Sequence, residues 1–159
     1  MARILGIMLV STLIYRLPPA EELYGDYYFA SDEITLKLSA PDNYTYFATK
    51  VAKRSGSVTS TEISRGNFTL NGDTLVLTEF PGNGTMKLLV VSEEELRAVQ
   101  MKELEADDVL LCWNKYYADG QPRLEAGWRK GKRHGTWVYY DEEGGVVKSE
   151  TYKKGKLQD

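Results

Sequence analysis

Near the C-terminus, Trp128, Arg129, Lys130, Lys132, Trp137, Tyr139 and Tyr152 combine ring faces with fixed cations. Rings stack on apolar or cationic groups, and ammonium or guanidinium groups hold carboxylates and phosphates. That is the chemistry of contact rather than of bond cleavage. A second set, Tyr27, Phe29, Tyr46 and Phe68, places rings where they would line the interior of a β-barrel and hold a small apolar ligand, provided that the interior is hollow. Residues for catalysis do not assemble: there is no Gly-rich phosphate loop and no nucleophile elbow. One cysteine, Cys112, excludes an intrachain disulfide, and with one histidine, His134, it cannot build a closed zinc site. Cys112 lies in the apolar run Val109-Leu110-Leu111-Cys112-Trp113 and reads as a buried small hydrophobe. His134 reads as a solvated turn residue, and Glu93-Glu94-Glu95 as a solvated helix start. The expectation is a non-enzyme with no metal and no cofactor.

Composition narrows the class. The chain has 159 residues, 42% hydrophobic and 11% aromatic, enough for one domain or two small ones with a packed core. Eleven tyrosines and fourteen glycines favour strands and tight turns. A net charge of −3 argues against a nucleic-acid partner, because phosphate neutralisation needs a dominant basic surface. Most of the tight basic clusters lie in the last third of the chain.

Residues 1–20 begin with a single Arg3 followed by an apolar run to Ile14. This resembles a secretory signal peptide, the alternative being a first core strand or helix of a cytoplasmic domain; the run is short for a membrane span. An exported or periplasmic location is expected from the first reading.

Residues 21–91 read as an antiparallel β domain. Gly25-Asp26-Tyr27-Tyr28-Phe29 opens it, and Ile34, Leu36 and Leu38 alternate with Thr35, Lys37 and Ser39, the period of a half-buried strand. Pro41-Asp42-Asn43 turns the chain into Tyr44-Thr45-Tyr46-Phe47. Residues 53–57 form a polar loop, and the Ser/Thr-rich residues 57–64 suit an edge strand. Asn71-Gly72-Asp73 between Phe68-Thr69-Leu70 and Thr74-Leu75-Val76-Leu77 is a hairpin signal, with Pro81-Gly82-Asn83-Gly84 the next turn. Strands of this spacing point to a barrel or sandwich. Asn43, Asn67 and Asn83 each open an Asn-x-Thr triplet, which is more simply explained by Asn and Thr at strand ends than by glycosylation. Residues 92–108 read as a connector with one short helix, because Ser92-x-x-Glu95 has the form of a capping box; the rival reading is one more strand that continues the barrel.

Residues 109–159 contain a repeat. Tyr116 returns as Tyr140, Gly120 as Gly144, Trp128 as Tyr152, and Lys130-Gly131-Lys132 as Lys154-Gly155-Lys156, each 24 residues on. A fixed period of this size marks stacked supersecondary units. Strands are expected at 109–117, 122–130, 136–140 and 146–153, a hairpin meander in which Trp128, Trp137, Tyr139, Tyr140 and Tyr152 meet as cross-strand neighbours. Arg133, Lys153 and Lys154 would extend the basic strip.

Two resemblances follow from these residues. Gly25-x-Tyr27, Leu36-x-Leu38, Tyr44-x-Tyr46, Gly66-x-Phe68 and Gly72-Asp73-Thr74-Leu75-x-Leu77 resemble the strand grammar of small lipocalin-like bacterial domains. Trp128-Arg129-Lys130-Gly131-Lys132-Arg133-His134-Gly135-Thr136-Trp137-Val138-Tyr139-Tyr140 and Tyr152-Lys153-Lys154-Gly155-Lys156 resemble the MORN repeat, in the variant of bacterial YwqK-type antitoxin components. The fold expected is mostly β: an antiparallel lipocalin-like barrel or sandwich with one short helix, then a MORN-type β-hairpin meander. The resemblance implies a binding or scaffold protein using a repeat sheet for protein or cell-envelope contact. The partner is expected to be a protein, with a membrane surface as a second class. The alternatives are a carrier of a small apolar ligand and an antitoxin-like partner of a toxin.

Overall fold

The computed structural model describes residues 17–29, 34–51, 58–99 and 109–158. The signal-like residues 1–14, the loop at 53–57 and the second half of the connector, 100–108, lie outside the described residues.

Alternating apolar residues build an eight-stranded antiparallel barrel. Its strands are β1 (Gly25–Phe29), β2 (Ile34–Ser39), β3 (Asn43–Val51), β4 (Val58–Asn71), β5 (Thr74–Glu79), β6 (Thr85–Ser92), β7 (Glu95–Ala98) and β8 (Val109–Tyr116). Each pairs with the next, and β8 pairs back onto β1 with Tyr27 opposite Cys112 and Phe29 opposite Leu110, so the sheet closes. Closure removes the free edges of an open sheet. The fold is thus a closed antiparallel barrel of lipocalin-like kind.

Inward positions follow the period of two. Leu36 and Leu38, Leu75 and Leu77, Leu88 and Val90, Leu96, and Leu110 with Cys112 form one buried cluster with Tyr27, Tyr44, Tyr46 and Phe68. A 3-10 turn at Ala20–Leu23 adds Leu23 and Tyr24 to that cluster, and the Tyr24 hydroxyl donates to the Pro41 carbonyl at 2.9 Å. The Tyr27 hydroxyl sits 3.0 Å from the carbonyls of both Leu23 and Glu93, which resolves the cost of burying a phenol.

Over the described residues 93–99 the helix expected after Ser92 does not form: Glu95–Ala98 is strand β7, hydrogen-bonded between β6 and β8. The Ser92 hydroxyl still accepts a backbone N–H, but that of Glu94 at 3.2 Å, and the result is a turn. Helix propensity over a few residues is weak, while Leu96 gains complete burial by filling the gap in the barrel wall. The two polar and apolar segments expected as separate strands, 57–64 and 67–70, are one 14-residue strand, β4. Residues 58–65 pair with β3 alone, Gly66 and Asn67 with both β3 and β5, and residues 68–71 with β5 alone. In the β4–β5 hairpin Asn71 pairs with Thr74, so Gly72-Asp73 rather than Asn71-Gly72 occupy the turn, and the positive φ of 62° falls on Gly72.

Strand β8 also starts the second region. Its N-terminal half pairs with β7, and its C-terminal half pairs with β9 (Pro122–Glu125). The sheet continues through β12 (Gly135–Tyr140), β13 (Val146–Lys153) and β14 (Lys156–Leu157). Between β9 and β12 the chain leaves the sheet as a small hairpin, β10 (Trp128–Arg129) and β11 (Lys132–Arg133). The expected single strand 122–130 is therefore broken at Ala126-Gly127. Strand β12 pairs with β9 directly, with Tyr139 opposite Leu124.

Candidate interaction site at the barrel–array junction

The array has one layer, so its apolar face needs a cover, and the β10–β11 hairpin supplies it. Trp137 on β12 is completely buried. Its ring meets Trp128 edge-on at 5.1 Å and Tyr152 at 5.6 Å, and the Arg133 guanidinium lies 4.4 Å from its centroid. Its Nε1–H donates to the Gly127 carbonyl at 3.0 Å, and Trp128 donates to the Cys112 carbonyl at 2.7 Å, tying the hairpin to the barrel wall. Gly127 is required there: a Cβ would stand 2.2 Å from the His134 carbonyl oxygen.

Two ion pairs lock this junction to the β6–β7 turn. Arg133 bonds Glu94 at 2.6 Å and the Tyr152 hydroxyl at 3.2 Å. Lys115, buried on β8, pairs with Glu93. A buried lysine is tolerable only with such a partner. Further along, the Glu150 carboxylate accepts from Lys148 at 2.7 Å, Tyr152 at 3.1 Å and Tyr139 at 3.3 Å.

Two grooves flank the hairpin. The first, about 520 Å³, is lined by Tyr28, Phe29, Leu111, Trp113, Trp128 and Lys130 with Gly131. Tyr28 and Trp113 meet edge-on at 5.6 Å, and Trp113 is 37% exposed. The second, about 360 Å³, is lined by Arg129, Lys130, Lys132, His134, Lys153 and Lys154. Lys130 borders both.

Of the residues expected to form a contact surface, Trp128, Arg129, Lys130 and Lys132 come together on this hairpin. Trp137 does not join them, because it is the interior of the array. Tyr139 and Tyr152 are half-buried and bonded to Glu150. Tyr140 faces the other side of β12, where its hydroxyl donates to Glu125 at 3.0 Å. Arg133, expected in the basic strip, turns inward onto Trp137 instead. His134, expected to be solvated, is half-buried, and its shielded Nδ1 has no hydrogen-bond partner.

The expected cavity residues Tyr27, Tyr46 and Phe68 are barrel core, while Phe29 packs at its margin and reaches the first groove. Tyr27, Leu36, Leu38, Leu75, Leu88, Leu96, Leu110 and Cys112 have no accessible area, so no water-sized void borders them. Burial pushes the Cys112 thiol up to about 12, and its Sγ donates to the Asn114 carbonyl at 3.2 Å. Sequence reasoning missed Tyr28, Leu111 and Trp113. They sit on outward positions of barrel strands, and they become a site only because β8 carries the hairpin alongside them. Among the described residues, no group of three or more His, Cys, Asp or Glu side chains could hold a metal ion, and no helix is long and apolar enough to cross a membrane.

No family model, no curated protein and no solved structure matches the chain.

Proposed function

We propose that this protein is a non-enzymatic binding protein whose β10–β11 hairpin presents the contact surface to a protein partner. The observation that carries the reading is the pair of grooves meeting at Lys130, one aromatic and one cationic, on a hairpin held rigidly by Trp128 and Trp137. Aromatic rings and arginine are enriched in protein contacts, and Tyr28, Trp113, Trp128 and Arg129 supply them here. The 24-residue repeat is read as a short MORN-type array, with the barrel as the platform that ends it. The signal-like residues 1–14 support a contact made at the cell envelope. A carrier function has less support, since the barrel interior is filled by its own side chains.

A photo-crosslinking residue at position 113 or 129, introduced in the source cells, should yield one discrete heavier adduct. Lys130→Glu should abolish it, and the same crosslinker at Thr69, exposed on β4, should yield none. Adducts that form equally from Thr69, or that survive Lys130→Glu, would refute the assignment.

A further inference from the structure

We propose that the groove between the two Lys-Gly turns is a binding site for a compact polyanion bearing phosphate groups. This rests on the hairpin as the contact surface and names the chemistry of one half of it. Five cations, Arg129, Lys130, Lys132, Lys153 and Lys154, line the groove with His134 and no carboxylate. None of the ion pairs among the described residues involves any of the five. The sheet itself forces them together: the Gly155 N–H donates to the Arg133 carbonyl at 2.8 Å, setting the β13–β14 turn beside the β10–β11 turn. Like charges gathered without acidic neighbours raise the local potential and attract a counter-charge.

A further observation points to a ligand rather than to solvated turns. Lys130 and Lys154 hold φ values of 53° and 55°, the left-handed region that Gly or Asn would occupy more easily. A non-Gly residue there costs roughly 1–2 kcal/mol. Backbone geometry gives no reason for lysine at both equivalent turns, whereas a charged ligand does. Charge density selects phosphate. A phosphate carries up to about two negative charges on three acceptor oxygens, whereas a carboxylate carries one charge on two. A groove of about 360 Å³ facing five cations is matched by clustered phosphates rather than by carboxylates strung along a peptide.

The full chain should be titrated calorimetrically with sodium tripolyphosphate at constant ionic strength. Lys130→Asn and Lys154→Asn, which suit the left-handed turn and remove charge, should each weaken binding at least fivefold and together at least thirtyfold, with unchanged circular dichroism. Lys87→Asn, on the barrel strand β6, should change it less than twofold. Tripolyphosphate binding no tighter than that of oligoglutamate of equal charge, or equal binding by the doubly substituted chain, overturns the proposal. Vesicles of phosphatidylcholine with and without phosphatidic acid separate the sources. Binding to the acidic vesicles that tripolyphosphate displaces assigns the phosphate to a lipid headgroup. Tripolyphosphate binding without vesicle binding assigns it to a soluble ligand. If tripolyphosphate does not bind while the adduct from position 113 persists, this inference falls and the contact reading stands.

Discussion

The barrel and the hairpin array use the same antiparallel ladder and bury their apolar faces in different ways. The barrel curls until its inner face meets itself, so simple alternation of leucines and tyrosines suffices. The array never closes, and its face is covered by a hairpin made from its own repeat. That cover depends on one buried indole, two indole hydrogen bonds and a cation over the rings. The cationic groove therefore lies on the array side, while the aromatic groove spans the junction with the barrel. Strand β8 belongs to both regions, so the dependence between them is asymmetric. The array needs the barrel to hold its seam, whereas the barrel stays closed through β1 and β7 without the array.

The largest expected effect tests that asymmetry. Trp137→Ala should destabilise the array by about 3–5 kcal/mol. In hydrogen exchange, residues 122–158 should lose protection while β2 to β5 keep theirs. Leu36→Ala should cost about 2–5 kcal/mol and expose both regions together. A single common transition for Trp137→Ala, or retained array protection in Leu36→Ala, would show that the two regions are not coupled as described.

A smaller effect concerns the clamp between them. Glu94 is largely buried and Arg133 about one-third exposed, so solvent screens part of their attraction. Glu94→Gln should cost about 1 kcal/mol, seen as faster amide exchange in β10 and β11 with the barrel unaffected.

The β12–β13 pair should respond to pH at both extremes. The bond from Lys148, ahead of those from Tyr152 and Tyr139, holds the Glu150 carboxyl below its ordinary value of 4.5. Its contribution is present above that value and is lost as pH falls through the lowered one. Burial, and then the charge of Glu150, raises the Tyr139 phenol from 10.0 to about 12. That contribution is complete below about pH 10 and disappears as pH rises through 12. At the alkaline end the buried Cys112 thiol weakens the barrel too, so the two regions part at the acid end, where array amides should lose protection before barrel amides. Loss of protection in the barrel first would contradict this.

The smallest response is expected at Cys112. Buried, and with a thiol pushed up to about 12, it should resist a disulfide reagent at pH 8 in the native chain and react on unfolding. Native-state reaction would mean that β1 and β8 separate readily.

Much of the framework was legible from local pattern. The alternation of Ile34, Leu36 and Leu38 marked β2, and the 24-residue spacing placed the Lys-Gly turns and β13 as observed. The site was only half legible. Trp128, Arg129, Lys130 and Lys132 sit on one short hairpin, so their proximity follows from sequence alone. Trp137 carries the same residue type and is buried, because the side of β12 that the hairpin covers is decided by how Gly127 lets the chain cross His134. The repeat already pairs Lys154 with Lys130, whereas Trp113 and Tyr28 gave no signal beyond an apolar strand.

By itself the amino-acid order determined the strands, their turns and the repeat, because these depend on residues a few positions apart and on backbone φ. Only the tertiary structure decided that Glu95–Ala98 is a strand, that β8 closes one region and opens the next, and which rings are core and which are surface. Those outcomes turn on burial against residues distant in the chain. Complete burial of Leu96 outweighs a local helical preference, and Trp137 becomes core only because the β10–β11 hairpin packs Trp128 and Arg133 against it.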